Sequence, residues 1–239
     1  MSNVTECGKA TQRLLVLCCL LLLVAPAIKT PAQAVATPTR PLVEIRTELG
    51  TLVVALYNET PQHRDNFLKL VREHAYDSLL FHRVIADLMV QGGDPDSKRA
   101  APGAPLGQGG PGYTLPAEIV PGLIHKKGAL AAARQADQVN PERRSNGSQF
   151  YIVQGKTYKA TELDQVVLRN ARYGTPVTYT EEHRKTYASV GGTPHLDGAY
   201  TVFGEVVEGV DVLEALSAQL CDGRDRPLKD VRMFMRVLE

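Results

Sequence analysis

Residues 81–94 read FHRVIADLMVQGGD and set an imidazole beside a guanidinium in an otherwise apolar run. Two strongly polar residues side by side in a strand-like segment raise the question whether they serve one surface together. Strand alternation argues against that pairing, because a period of two puts Phe81, Arg83 and Ile85 on one face and His82 with Val84 on the other. The two polar residues therefore need separate roles. Arginine stays protonated and presents a rigid fork of donors, and in an arbitrary strand Arg83 would read as one half of a salt bridge at the barrel surface, with a site role decided by context. The plain reading of His82 is a satisfied structural histidine behind the strand.

Other chemistry-bearing stretches are weaker. GQGGPGY, starting at Gly107, has the glycines of a phosphate-cradling loop, but Pro111 and Pro116 interrupt what would have to be a helix and no Lys-Ser/Thr pair follows. Nucleotide binding is rejected. Asn146-Gly147-Ser148 fits a glycosylation sequon, read as accidental.

The elements that must position these residues are mostly short strands. Val43, Ile45 and Thr47, then Leu52, Val54 and Leu56, alternate about a Leu49-Gly50 punctuation and predict a β-hairpin. A helix follows from Thr60-Pro61 with Phe67, Leu70, Val71 and His74 on its apolar face. Short strands and glycine turns continue to Val153, and the chain ends as strand (TVFGEVV), helix (VDVLEALSAQL) and strand (VRMFMRVL). Few helices among many short strands predict an antiparallel barrel or sandwich with helices at its ends. Residues 156–194 depart from the pattern and predict two inserted helices, one capped by Thr161 and stopped by Gly174, the other opened by a Thr178/Glu181 capping box. A surface excursion and a lid or partner surface are both open for this insertion.

The first 34 residues do not fit the globular pattern. Lys9 and Arg13 precede a 15-residue apolar run, Leu14 to Ile28. As a helix it would span about 22 Å, short of a ~30 Å bilayer core. Ala32 and Ala34 offer a small-x-small cleavage site. The expectation is a signal peptide over 1–34, a linker over 35–42 and one domain over 43–239, periplasmic or secreted, with a retained membrane anchor as the alternative. Removing the leader takes Cys7, Cys18 and Cys19 with it and leaves Cys221 alone. That excludes an internal disulfide and a cysteine metal site. The remaining chain is near neutral and has no basic stretch with interleaved aromatics, so no nucleic-acid partner is expected.

Five blocks in series, FHRVIADLMVQGGD, GQGGPGYTLPAE, HKKGALAAAR, NGSQFYIVQG and HLDGAYTVFGEVVEG, resemble the cyclophilin family of peptidyl-prolyl isomerases, from about Val43 to Glu239 apart from the insertion. The resemblance implies a mainly β fold: a closed antiparallel eight-stranded barrel capped by two helices, here with a helical insertion at about 156–194. It implies isomerisation of X-Pro bonds without metal or cofactor, Arg83 donating to the proline nitrogen of the twisted amide and Gln91 holding the substrate backbone and orienting Arg83. His82, Leu88, Met89, Ala133, Gln149, Tyr151, Leu196 and Tyr200 fall at substrate-binding positions, with Ala133 and Gln149 serving residues before proline. Phe150, the alternate neighbour of Tyr151, reads as core. Leu88 stands where the family usually has phenylalanine, Arg134 where many members have asparagine, Tyr200 where many have histidine, and His195 where many eukaryotic members have a cyclosporin-contacting tryptophan. The expected partners are unfolded or nascent exported polypeptides, bound by a monomer with no membrane span once the leader is removed. The alternative, from another class, is a proline-peptide-binding chaperone module with weak or no isomerase activity.

Overall fold

Alternation along the first hairpin is realised side chain by side chain in the computed structural model, which describes residues 39–238. Strands β1 (Leu42–Thr47) and β2 (Gly50–Leu56) pair antiparallel. Val43, Ile45, Leu52, Val54 and Leu56 are wholly buried between them and the remaining strands. The main sheet continues through β3 (Phe81–Ile85), β4 (Met89–Gly92), β6 (Ala129–Ala132), β8 (Phe150–Val153), β9 (Val202–Glu208) and β10 (Phe234–Leu238). Its spatial order is β10-β1-β2-β9-β6-β8-β4-β3, antiparallel throughout. Two short strands, β5 (Thr114–Leu115) and β7 (Ser145–Asn146), pair separately.

The two edges of the eight-stranded sheet meet through a seam in place of a full ladder. Leu80 bridges Arg232. The Ser78 amide donates to the Met233 carbonyl (2.9 Å), Met233 to Leu79 (2.8 Å) and Phe81 to Val231 (2.9 Å). The expected eight-stranded barrel is therefore present, with its closure confined to these few bonds.

Inside the barrel, Phe150 packs edge-on against Phe67, Tyr76 and Phe81, at ring-centroid distances of 5.6, 5.7 and 6.2 Å. This is the core role expected of Phe150. Helix α1 (Pro61–Arg72) packs against β9 and β10, and α4 (Val210–Ser217) against β2, β3 and β4. Helix α1 starts where Thr60-Pro61 predicts, but its first amides are received by the Glu118 carboxylate, from Gln62 (3.1 Å) and His63 (2.9 Å). Its buried histidine is His63, whereas His74, expected on the apolar face, lies beyond the helix end in an exposed left-handed turn.

Residues 156–194 do carry two helices, α2 (Ala160–Arg172) and α3 (Glu181–Ser189). Both start away from the expected caps. Glu162 accepts the Lys159 amide (2.7 Å), so α2 begins ahead of Thr161. Thr180, not Thr178, accepts the His183 amide (3.2 Å), because the intervening Tyr179 is drawn into a buried contact and cannot join the helix. Gly174 follows the last turn of α2 in a left-handed conformation, as its type predicts. The insertion has its own small core of Leu163, Tyr179 and Tyr187. At its neck, Lys156 and Gly192 exchange two backbone bonds (3.2 and 2.9 Å). A Cβ on Gly192 would lie 2.2 Å from the His125 carbonyl oxygen, so only glycine fits there. No helix among the described residues is long and apolar enough to cross a membrane. The expected leader, residues 1–34, lies outside the described residues.

Candidate active site

The outer faces of β4, β6 and β8 build the floor of a groove. Val90, Leu130 and Ile152 point into the barrel, so their neighbours Met89, Ala131 and Tyr151 point out and form a second apolar cluster with Val153 and Val202. Ile85, Leu88, Ala133, Leu196 and Tyr200 pack against it. The cleft above has a volume of about 480 Å³. Arg83, Leu88, Met89, Gln91, Ala133, Gln149, Tyr151, Leu196 and Tyr200 all line it.

His82 is the expected site residue that does not line it. The register between β3 and β4 shifts between Phe81 and Arg83, and that bulge breaks the alternation expected from the sequence. Phe81 joins Val84 in the barrel core, while Arg83 turns outward, 46% exposed at its side chain. His82 is left in the wall at 3% exposure, with neither ring nitrogen hydrogen-bonded. Burial pushes its imidazole down to about 4, so it is neutral near pH 7. It supports the strand and does not touch the cleft.

Arg83 faces Gln91 across the β3–β4 ladder. The amide of Gln91 is engaged elsewhere: Nε2 donates to Gln149 Oε1 (2.9 Å), and Gln149 Nε2 donates onward to the Gly109 carbonyl (2.7 Å). The group that holds Arg83 is Asp225, whose Oδ2 receives Nε at 3.4 Å. The same residue's carbonyl accepts the Val84 amide (2.8 Å), which fastens the 221–227 turn to the edge of β3. Asp225 adopts a positive φ, with Asp222 receiving the amides of Arg224 (2.8 Å) and Arg226 (3.0 Å) beside it. The Asp-Gly-Arg-Asp run marks a turn in sequence, but nothing in it indicates which strand the turn will meet.

The glycine block is a loop pinned by a buried carboxylate. Asp94, fully buried, accepts the amides of Gly107 and Asp96. The Gly107 amide is thereby taken up by the protein's own carboxylate. Asn146, whose sequon is read as accidental, donates to the Gly109 carbonyl (3.0 Å) and accepts from the Ser148 (2.9 Å) and Gln149 (3.0 Å) amides. Its side chain is committed to shaping the cleft that it lines.

At the other end, Tyr151 and Tyr200 meet edge to face at 6.0 Å. The Arg134 guanidinium lies 4.4 Å above the Tyr200 ring and donates to the Ala199 carbonyl (2.8 Å) and to Asp137 (2.6 Å). Arg134 is thus a wall of the cleft, a role that its sequence position signals only as a departure from the family. Beneath, a buried chain runs from the floor into the insertion. The Tyr151 hydroxyl is 3.0 Å from His125 Nε2, and His125 Nδ1 is 2.7 Å from Asp197 Oδ1. Asp197 Oδ2 accepts from Tyr179 (2.6 Å) and Tyr187 (2.5 Å). Burial holds all three tyrosine hydroxyls well above the ordinary phenol range, so they remain donors.

Comparison with known proteins agrees with this geometry. The sequence model of the family described as cyclophilin type peptidyl-prolyl cis-trans isomerase/CLD matches residues 42–236. A Staphylococcus haemolyticus protein provisionally named a peptidyl-prolyl cis-trans isomerase is 33% identical over 193 residues, covering 79% of this chain and 86% of its own. A Streptococcus pyogenes protein, provisionally named a bifunctional phosphatase/peptidyl-prolyl cis-trans isomerase, is 33% identical over 87% of this chain, which spans only 41% of that longer protein. Among solved structures, a Cryptosporidium parvum cyclophilin type isomerase superposes with a TM-score of 0.60 at 24% identity, over 84% of this chain and 98% of its own. The same protein solved in the presence of the dipeptide Ala-Pro gives 0.59 at 24% identity, over 83% and 99%.

Proposed function

The chain belongs to the cyclophilin-type peptidyl-prolyl cis-trans isomerase family, and we propose that its groove accelerates rotation about X-Pro bonds of unfolded or newly exported proteins, with Arg83 as the hydrogen-bond donor. The observation that carries this reading is the convergence, in one cleft, of an outward guanidinium with an apolar floor of Met89, Tyr151 and Leu196. The Ala-Pro dipeptide present with the Cryptosporidium relative supports an X-Pro ligand.

The physical task is modest. An X-Pro amide rotates over a barrier of ~18 to 20 kcal/mol. In the twisted state conjugation is lost, and the proline nitrogen pyramidalises and becomes an acceptor. A planar amide nitrogen is a poor one, so a donor aimed there stabilises the transition state selectively. A millisecond step corresponds to about 13 kcal/mol, so the site must supply roughly 6 kcal/mol. Arg83 provides the donor, and the Met89–Tyr151–Leu196 floor seats the ring. In this reading Gln149 and Ala133 receive the residues before proline, and Gln91 receives the peptide backbone. The chain acts as an exported monomer in this reading, its leader removed after Ala34.

Arg83→Ala should lower kcat/KM on an X-Pro peptide by about two to three orders of magnitude. Circular dichroism and unfolding should stay unchanged, because the side chain is half exposed. Equal rates in wild type and Arg83→Ala would overturn the reading. Retained peptide binding in that case would favour the proline-peptide-binding module, to which the Asp225 tether on Arg83 and the aliphatic Leu88 wall lend support.

A further inference from the structure

A second cleft of about 390 Å³ adjoins the first and shares Leu196 and Tyr200 with it. One wall is the last turn of α2, with Arg169, Asn170 and Tyr173, and the other is the 137–143 loop. The two walls are joined: Arg143 donates to the Tyr173 carbonyl (3.4 Å) and to Asp137 (2.9 Å), while Asn170 Nδ2 donates to the Pro194 carbonyl (3.0 Å). The cleft's charge is one-sided. Asp137 is shared between Arg134 and Arg143, and His195 is held neutral, its imidazole lowered by burial first and by Arg169 second. Arg169 lies exposed on the cleft wall and forms no ion pair with the other described residues.

We infer that this cleft is a subsite for the substrate chain after proline, and that Arg169 selects an acidic side chain there. The inference rests on the isomerase reading and deepens it. With residues before proline on the Ala133–Gln149 side, the chain leaves the proline pocket over Leu196 and Tyr200, the two residues the clefts share. An extended chain advances ~3.3 Å per residue, so residues a short way after proline that follow this path enter the cleft lined by Arg169. A carboxylate can be received there by the planar guanidinium fork. The buried Tyr151–His125–Asp197–Tyr187 chain fixes the insertion to the pocket floor, so the wall is a constant part of the groove.

The test uses the full chain and three peptides in which Ala-Ala-Pro-Ala is followed by Glu-Glu, Ala-Ala or Lys-Lys, with isomerisation read by NMR exchange. The Glu-Glu peptide should show a kcat/KM roughly fivefold above Lys-Lys, carried by KM, and about 0.5 M salt should collapse the ratio. Arg169→Glu should invert the preference, and Arg169→Lys should restore its sign. Equal KM values in wild type, or a preference that survives Arg169→Glu, would overturn the subsite. Calorimetric binding of the same peptides to wild type, Arg83→Ala and Arg169→Glu separates the two claims. If wild type is no faster than Arg83→Ala the isomerase reading fails, while an Arg169-dependent binding difference still upholds the subsite and its loss refutes it.

Discussion

His82 and Arg83 are adjacent in the chain, yet one is walled in and the other projects into the cleft. The titration of His82 makes the difference measurable. In the unfolded chain a histidine takes up its proton near ~6.5, whereas burial lowers the folded value to about 4. Between these values the unfolded state binds more protons, so stability falls as pH falls through that window and this contribution is level above it. The total is about 3 kcal/mol. Urea unfolding at intervals from pH 7 to pH 4 should show a steeper loss in wild type than in His82→Gln; identical slopes would refute the assignment. Leu88 bears on affinity instead. Leu88→Phe restores a flat aromatic wall to the proline pocket, and KM for an X-Pro peptide should fall about threefold to tenfold with little change in kcat. At this scale sequence reading groups Arg83, Met89, Gln149 and Tyr151, because each belongs to a continuous motif, and all four line one cleft. It misplaces Phe81 because a bulge is invisible to a period-two pattern, and it misses Asp225 because that contact spans 142 residues.

Among the elements, the insertion differs most from its expected character. Its helices are legible from capping residues and glycine stops, to within two residues at each start. Its attachment is not, since Tyr179 and Tyr187 look in sequence like ordinary residues of a surface excursion while their hydroxyls satisfy a carboxylate buried at 3% exposure. Removing one donor leaves Asp197 under-bonded inside the protein. Tyr187→Phe and Tyr179→Phe should each cost about 1 to 3 kcal/mol in chemical denaturation. Combined, they should depart from additivity, because both act on the same oxygen. Additive losses within a few tenths of a kcal/mol would show that the two hydroxyls do not share Asp197.

For the whole molecule, the order of strands is hardly legible from sequence, because β2 pairs with β9, a strand remote in the chain, and no local pattern records that partner. The mainly β class and the terminal strand-helix-strand unit are legible, since both rest on local periodicity. The proposed leader gives a test at this scale: intact-mass measurement of protein recovered from an exporting host should place the new N-terminus at Val35, and recovery of an uncut chain in the membrane fraction would favour the anchor. The seam described above has a further consequence for timing. The segment that contacts Arg83 and closes the barrel against residues 78–81 lies within residues 225–233, far downstream of β3, and chains are synthesised from the N-terminus. Strand β3 leaves the ribosome long before the residues that bond to its edge. The barrel seam therefore forms late in synthesis, since residues 78–81 must wait for residues 231–233 to emerge before their backbone bonds can close.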